Sequence, residues 1–281
     1  MLKKLLGYLA IVVVIVASVI GVFISTLNNG GNNKNIIHDY YIYYFTDYKK
    51  ALAQLGTKYG LEIQYKVGPD FIDQQGQLPP INGKATQLDD FGIARFSIVL
   101  PKVLGQYPNV VIRDNLKYIK LSKTVSFYGV NYGGSAFGNI LYLTNMGRDE
   151  GFTDFYLSQT FHHEFSSILM KQYKFPAQKW MAANPPDFKY DSDFKDVLSS
   201  IQQDRDLKGN EYFYKQGVMS KYSYTTMEND FNLFAQTVFN EPERMKMLIN
   251  KYPLIKAKYE IFKGFYLSIS PKFAKTFDLI G

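Results

Sequence analysis

The hydrophobic positions of the chain fall into a long apolar segment near the start and, after it, a region of alternating helix and strand patterns. Residues 5–27 carry no charged side chain. A helix of that length extends about 34 Å at about 1.5 Å per residue, which exceeds the hydrocarbon core of a bilayer, about 30 Å. The pattern therefore predicts that residues 5–27 cross a membrane as one helix.

A cleavable signal peptide is the alternative for this segment. Signal peptides have a shorter apolar region, about 7–15 residues, and small residues at the cleavage site, and no clear A-x-A site follows here. We therefore favour an uncleaved anchor. Lys3 and Lys4 precede it, so the positive-inside rule keeps the N-terminus in the cytoplasm and the rest outside.

The predicted organisation has three parts. Residues 1–30 form a signal anchor, residues 31–36 belong to a polar, Gly- and Asn-rich tether, and residues 37–281 form one extracytoplasmic domain, periplasmic or at the cell surface. A single domain of that size can bury a sizeable core.

Helix and strand patterns alternate over the first part of this domain. Apolar residues recur at helical spacing over 44–55, and GLEIQYKV from Gly60 alternates as a strand does. Residues 68–84 are rich in Pro, Gly, Gln and Asp and predict a loop. A helix is expected from about Leu88, bending or breaking near Pro101.

Two strand-like stretches then precede long helices. KYIKLSKTVSFYG (117–129) and GNILYLTN (138–145) alternate, whereas the glycine-rich NYGG and GGSAFG between them indicate turns. Helical spacing follows over 153–173 and 231–239, and the tail reads as two helices divided near Pro253. The order predicts an α+β domain with a small sheet before a helical C-terminal half.

Composition narrows the chemistry. The formal charge is +7 with two lysines before the apolar segment, and no basic cluster stands out, so no nucleic-acid partner is expected. The absence of Cys excludes disulfides, Cys-ligated zinc and a lipid-modified Cys, so any metal must rest on His and carboxylates. The 23 Tyr and 22 Phe are expected mainly in the core, with some free to line a ligand surface.

The stretch FHHEFSSILM on the helix over 153–173 contains the main candidate chemistry. In an H-E-x-x-H motif, two His four residues apart hold zinc and the Glu activates a metal-bound water. Here His163 and Glu164 are present, and Ser167 stands where the second His would be. His162 lies about 100° away around the helix and reads as a packing or surface residue, and His38 reads as incidental.

The order of sheet, HHEFSSIL helix, GVMSKYS segment and ENDFNLFAQ helix resembles a family of exported zinc-binding metallopeptidases, often lipoproteins tied to nutrient uptake at the outer surface. Their patterns are HHEFxHIL, GFVSxYA and EDFAE, and the similarity covers roughly residues 88–239. The resemblance implies a zincin-like fold with a small mixed sheet, an active-site helix and a helical C-terminal half. It also implies zinc, with His163 as a ligand and Glu164 as general base.

Two positions depart from this family. Ser167 replaces the second ligand, and Asn229 falls at the expected ligand Glu, with Glu228 one residue away. The resemblance thus leaves a zinc site of His163, Glu228 and either Ser167 or water. A capping box from Thr225 to Glu228 is the alternative role for Glu228.

Two functions follow from these residues. The first is a zinc-dependent metallopeptidase acting outside the cytoplasm on peptide or protein substrates. The second is a metal-free, catalytically degenerate zincin-fold component that binds or scaffolds in a surface nutrient-uptake system. In either, the strand after GGSAFG is expected to edge the cleft and pair with an extended peptide.

The anchor yields the first testable prediction. Full-length protein should remain in the membrane fraction through alkaline carbonate washing, whereas a chain beginning near Asn32 should be released, because only the former contains residues 5–27. N-terminal sequencing provides the control. A mature protein that begins between residues 17 and 30 would identify a signal peptide instead.

Overall fold

Two small β-sheets and a set of helices make up the part of the chain that the structure, a computed structural model, describes: residues 42–44, 46–73, 82–190 and 210–281. The predicted anchor, the tether and His38 lie outside these residues. Within them, no helix is both long and apolar enough to cross a membrane. The described residues have the α+β composition that the sequence predicts.

The elements are numbered in chain order. They are α1 (Tyr48–Tyr59), β1 (Glu62–Gln64), β2 (Lys84–Thr86), α2 (Asp90–Leu104), α3 (Asn109–Asn115), β3 (Tyr118–Ser122), β4 (Thr124–Phe127), β5 (Val130–Tyr132), β6 (Gly134–Phe137), β7 (Ile140–Thr144), α4 (Asp154–Gln172), α5 (Ala177–Ala182), α6 (Glu211–Lys215), α7 (Met227–Asn240), α8 (Pro242–Lys251), α9 (Pro253–Ile269) and α10 (Ala274–Phe277). Short 3₁₀ turns cover Arg148–Glu150, Lys221–Tyr224 and Pro271–Phe273.

The larger sheet has the order β1-β3-β7-β6, so β6 is one of its two edge strands. β1, β3 and β7 are parallel, and β6 pairs antiparallel with β7, with Gly134 opposite Leu143 and Phe137 opposite Ile140. All five residues of β7 are buried, as expected of an inner strand. The smaller antiparallel sheet has the order β2-β4-β5.

The strand predictions were right in outline and wrong at two points. The stretch 117–129 is divided at Lys123 into β3 and β4, which belong to different sheets. GGSAFG contains the strand β6, and β6, not the following β7, forms the edge of the larger sheet. Glycine is uncommon inside strands, so the sequence of this stretch indicates a turn. In the structure Gly134 is needed because α4 packs closely against β6 there.

The long helices follow their predicted spans closely. α4 begins after Thr153, whose hydroxyl accepts a hydrogen bond from the Tyr156 backbone N–H at 3.1 Å. α2 continues past Pro101 to Leu104, because the proline lies in the last turn. α1 begins at Tyr48, capped by Asp47, later than the spacing suggested.

Aromatic rings from three helices make up much of the core. Phe161 and Phe165 of α4, Phe231 and Phe234 of α7, and Trp180 of α5 are all fully buried. Their burial requires the helices to pack on one another and on the sheet, and each such ring contributes about 1.5–3 kcal/mol by leaving water.

A buried ion pair ties α7 to α9. Lys258 Nζ lies 2.6 Å from Asp230 Oδ2, and neither side chain is exposed. Trp180 Nε1–H and the Tyr190 hydroxyl donate to the same oxygen at 2.9 and 2.7 Å. Burial lowers the pKa of Lys258 and Asp230 opposes that shift, so each charge depends on the other.

This pair gives a stability prediction. Lys258→Met should lower the free energy of unfolding by about 3 kcal/mol or more, because it leaves the Asp230 carboxylate buried without its countercharge. Lys256→Met, at an exposed position of the same helix, should change it by about 0.5 kcal/mol at most. Chemical denaturation measures both. Equal losses in the two variants would show that the pair is not held as described.

Candidate functional site

Four pairs of polar side chains join α4 and α7 along one line, which we call the seam. In order along α4 the pairs are Ser158–Asn240, His163–Gln236, Ser167–Asn232 and Lys171–Glu228. Residue numbers rise along α4 as they fall along α7, so the helices are antiparallel. On α7 the members recur every four residues and therefore lie on one face.

His163 lies in the middle of the seam and is buried. Its Nδ1 is 3.1 Å from Gln236 Nε2. In this orientation of the amide Nδ1 accepts the hydrogen bond, because an amide nitrogen can only donate, and the ring proton lies on Nε2. Burial lowers the pKa of His163 to about 4, while Glu228 and a hydrogen bond with Asn229 act in the opposite direction.

Ser167 is buried at the next turn of the seam. Its Oγ accepts a hydrogen bond from Asn232 Nδ2 at 2.7 Å, and Asn232 is itself fully buried. The amide therefore fills the space next to the position where the resemblance places a second zinc ligand.

Glu228 closes the seam at the surface. Its Oε1 lies 2.9 Å from Lys171 Nζ, and its side chain is partly exposed. The capping-box prediction is wrong by one residue: the cap of α7 is Thr226, which accepts from the Asn229 backbone N–H at 3.0 Å. Thr225 and Thr226 both suit a cap, so the sequence could not choose between them.

Glu164 lies beside the seam, under the edge strand β6. A Cβ atom at Gly134 would come within 2.8 Å of Glu164 Cγ and 3.2 Å of Oε1, so only glycine fits there. Among the described residues its carboxyl has no hydrogen-bond or ion-pair partner. Burial and the neighbouring Glu228 raise the pKa of Glu164 to about 8, with Lys171 acting in the opposite direction.

Tyr222 lies beside Glu164, and Tyr132 and Tyr156 lie near Tyr222; the sequence singles out none of the three. Tyr222 stacks on His163 with ring centroids 5.9 Å apart. Burial raises the pKa of Tyr222, and the charges of Glu164, Tyr132, Glu228 and Tyr156 add to the shift, so these groups lie near Tyr222. All of them are partly exposed. The only sequence signal was the high tyrosine count, which carries no position.

His162 points away from the cleft and packs in the core. Its ring stacks on Phe239 at 5.0 Å, and its Nδ1 lies 2.8 Å from the Tyr107 hydroxyl. Burial lowers its pKa to about 3. Both neighbouring histidines therefore stay neutral at pH 7, and stability should fall as the pH drops below about 6.5, where the unfolded chain takes up protons first.

The residues that the resemblance offers as zinc ligands lie near one another but are engaged with protein partners. Within the described ranges, no group of three or more His, Asp or Glu side chains is placed to hold a metal ion. Catalytic zinc usually takes three protein ligands of imidazole, carboxylate or thiolate. His163, Glu228 and the neutral hydroxyl of Ser167 do not fit that set.

Comparison with known proteins yields no relative. No family model matches the chain, and neither the curated proteins nor the solved structures contain a match. The function must therefore be argued from the site itself.

The seam generates a prediction of its own. Ser167→Ala should lower the free energy of unfolding by about 1–3 kcal/mol, because it leaves the Asn232 amide buried with no partner. Replacing both residues, as Ser167→Ala with Asn232→Leu, should recover part of that loss. Ser158→Ala is the matched control and should cost less, because its partly exposed site admits water. If the double variant loses as much free energy of unfolding as the two single variants together, the two side chains are not paired as described.

Proposed function

We propose that the chain is a zincin-like extracytoplasmic protein that binds an extended peptide in the cleft beside Glu164 without hydrolysing it. It would then be a catalytically degenerate relative of the exported zinc-binding metallopeptidases, serving as a binding or scaffolding component of a surface nutrient-uptake system. The observation that carries this proposal is the seam, where His163, Ser167 and Glu228 each have a protein partner.

The free edge of β6 supplies the means of binding. Thr144 of β7 donates its backbone N–H to the carbonyl oxygen of Gly133 at 3.1 Å, so Gly133 and Thr144 are a hydrogen-bonded pair of the ladder. In an antiparallel ladder such pairs alternate, which directs the backbone groups of Gly134 and Ala136 outward, away from β7. β6 has no second strand neighbour among the described residues. An added peptide strand would satisfy these groups.

The side chains next to the edge of β6 are also suited to hold a peptide. Glu164 lies directly beneath Gly134, the Tyr156 hydroxyl lies beneath Gly133, and the Tyr222 ring stacks on His163. Aromatic rings bury large area at low entropic cost, so they are suited to hold a peptide side chain.

Zinc-dependent hydrolysis is the second candidate, and one observation favours it. Glu164 adjoins His163 and has a pKa of about 8, within the range useful to a general base near neutral pH. Turning over the Gln236 amide would let its oxygen accept from His163 Nδ1–H, and Nε2 would then carry no proton, as a metal ligand requires. The candidate still lacks a third strong ligand.

The edge gives the test of the proposal. Ala136→Pro should weaken binding of an extended peptide at least tenfold, because proline removes an outward N–H while leaving the ladder with β7 intact. Ala136→Val is the matched control, since it keeps the N–H and favours a strand. Calorimetry with a blocked peptide library, followed by mass spectrometry of the peptides, measures binding and cleavage together.

Three results would separate the candidates. Binding that Ala136→Pro removes, with intact peptides and no response to zinc, supports the proposal. Cleavage that needs zinc and falls about 100-fold in Glu164→Gln supports the hydrolase instead.

As a positive control for zinc, Ser167→His with Asn232→Ala rebuilds H-E-x-x-H and opens space for the ring; Asn232→Ala alone should not gain zinc affinity. Absence of peptide binding in the wild type would refute both.

A further inference from the structure

We infer that the cavity between β1, β3 and the loop over residues 68–73 binds a neutral sugar of the hexose class. This inference goes beyond the proposed function, because the cavity lies away from the edge of β6, on the other face of the larger sheet. Three features of the described residues carry it: a cavity of ligand size, a buried lysine with one N–H to spare, and aromatic rings beside charges of both signs.

The cavity is the first feature. Its volume is about 830 Å³, within the range of about 300–1,000 Å³ that sites for small molecules usually have. Successive side chains of a strand point to opposite faces of the sheet. On β3, Ile119 and Leu121 pack in the core that contains α4, whereas Tyr118 and Lys120 line the cavity. The cavity therefore lies on the face of the sheet that is turned away from α4.

Lys120 is the second feature. Its side chain is only 5% exposed, and its Nζ donates hydrogen bonds to the carbonyl oxygens of Asp70 and Phe71 at 3.2 and 2.8 Å. An ammonium group has three N–H donors, and the third finds no acceptor in the part of the chain that the structure describes. Buried donors are normally hydrogen-bonded. Because Lys120 lines the cavity, its third N–H is free to donate to an oxygen atom of a ligand.

The charges around the cavity decide the class of ligand. Burial lowers the pKa of Lys120, and three nearby carboxylates oppose that shift. They belong to Asp73, Glu62 and Asp70, all of which line the cavity. Lys66 adds a second positive charge to the lining. A ligand of either charge would therefore meet groups of its own sign, whereas a neutral ligand meets no such repulsion.

A neutral ligand must offer both donors and acceptors to these groups. A carboxylate only accepts hydrogen bonds, and an ammonium group only donates them. A hydroxyl group does both, so a molecule rich in hydroxyl groups can pair with the lysines and with the carboxylates. A sugar carries a hydroxyl group on most carbon atoms of its ring and meets this requirement.

Aromatic rings are the third feature. Tyr65, Phe71 and Tyr118 line the same cavity, and the two tyrosines are partly exposed. The face of an aromatic ring carries partial negative charge, which attracts the weakly positive C–H groups on one face of a sugar ring. The ring centroids of Phe71 and Tyr118 lie 5.6 and 5.8 Å from Lys120 Nζ. The lining therefore offers a stacking surface close to the spare N–H donor.

The experiment measures binding of neutral and charged sugars to the full-length protein by saturation-transfer NMR and calorimetry. The neutral probes are glucose, galactose, mannose and N-acetylglucosamine, and the charged probes are glucuronate and glucosamine. At least one neutral sugar should bind about tenfold more tightly than either charged sugar, because each charged sugar brings its charge beside a like charge of the lining. The inference is overturned if no neutral sugar binds, or if a charged sugar binds most tightly.

Variants assign the binding to the cavity. Lys120→Met should weaken it about tenfold or more, the scale of a hydrogen bond from a charged donor, whereas Lys102→Met, at an exposed position of α2, should leave it unchanged. Tyr65→Leu should weaken binding about two- to tenfold, because it removes a ring face and keeps Lys120. Tyr212→Leu, at a tyrosine that is 66% exposed, is the control and should have no effect.

Circular dichroism and thermal unfolding check that each variant is folded. If Lys120→Met does not fold, Tyr65→Leu decides, and sugar binding that Tyr65→Leu leaves unchanged overturns the inference. Ala136→Pro, at the opposite edge of the sheet, should weaken peptide binding without changing sugar binding. The two sites can thus fail separately, and sugar binding that Ala136→Pro abolishes would overturn the assignment to this cavity.

Discussion

The seam between α4 and α7 is the constraint on which the rest of the site depends. Buried polar groups must be paired, so the alternation of residues along these helices fixes how far one is displaced against the other. A slide by half a turn, about 2.7 Å, would separate His163 from Gln236 and Ser167 from Asn232 without bringing the next polar side chain of α7 into place. Each buried amide left unpaired costs about 1–3 kcal/mol. The seam thus holds α4 at one height under the sheet.

That height decides what lies beneath β6. Thr160 and Glu164, one turn apart on α4, both approach Gly134, where a Cβ would meet Thr160 Cγ2 at 2.5 Å. A Cβ at Gly133 would lie 2.0 Å from the Tyr156 hydroxyl. The two glycines therefore permit the helix to touch the strand, and they bring the Glu164 side chain and the Tyr156 hydroxyl against the edge of β6.

The sequence predicts the helices well because their signal is local. Apolar spacing places α4 and α7, and a threonine caps each of them. It predicts β6 poorly, because the glycines that close packing requires resemble a turn. Asp230 lies in the first turn of α7, where its charge suits the helix, but the local sequence does not reveal that it is buried against Lys258, 28 residues away. A partner at that distance leaves no periodic trace.

The candidate site shows the same division between local and distant information. His163, Glu164 and Ser167 are visible because they occupy fixed positions in a motif. The four-residue spacing of Glu228, Asn232, Gln236 and Asn240 was equally present in the sequence. It becomes informative only once α7 is known to face α4, because polar residues on a helix usually face solvent.

An amide seam and a metal site are alternative solutions for the same pair of helices, since both require polar groups at four-residue spacing on facing surfaces. A metal replaces several hydrogen bonds with a few strong ligands, so one missing imidazole weakens it sharply. An amide seam has no such threshold, because each pair stands alone. Once Ser167 occupies the central position, pairing with Asn232 Nδ2 offsets part of the cost of burying both groups, while Asn232 Oδ1 has no partner among the described residues. Glu164 belongs to none of the four pairs, and its side chain lies beneath Gly134 at the edge of β6.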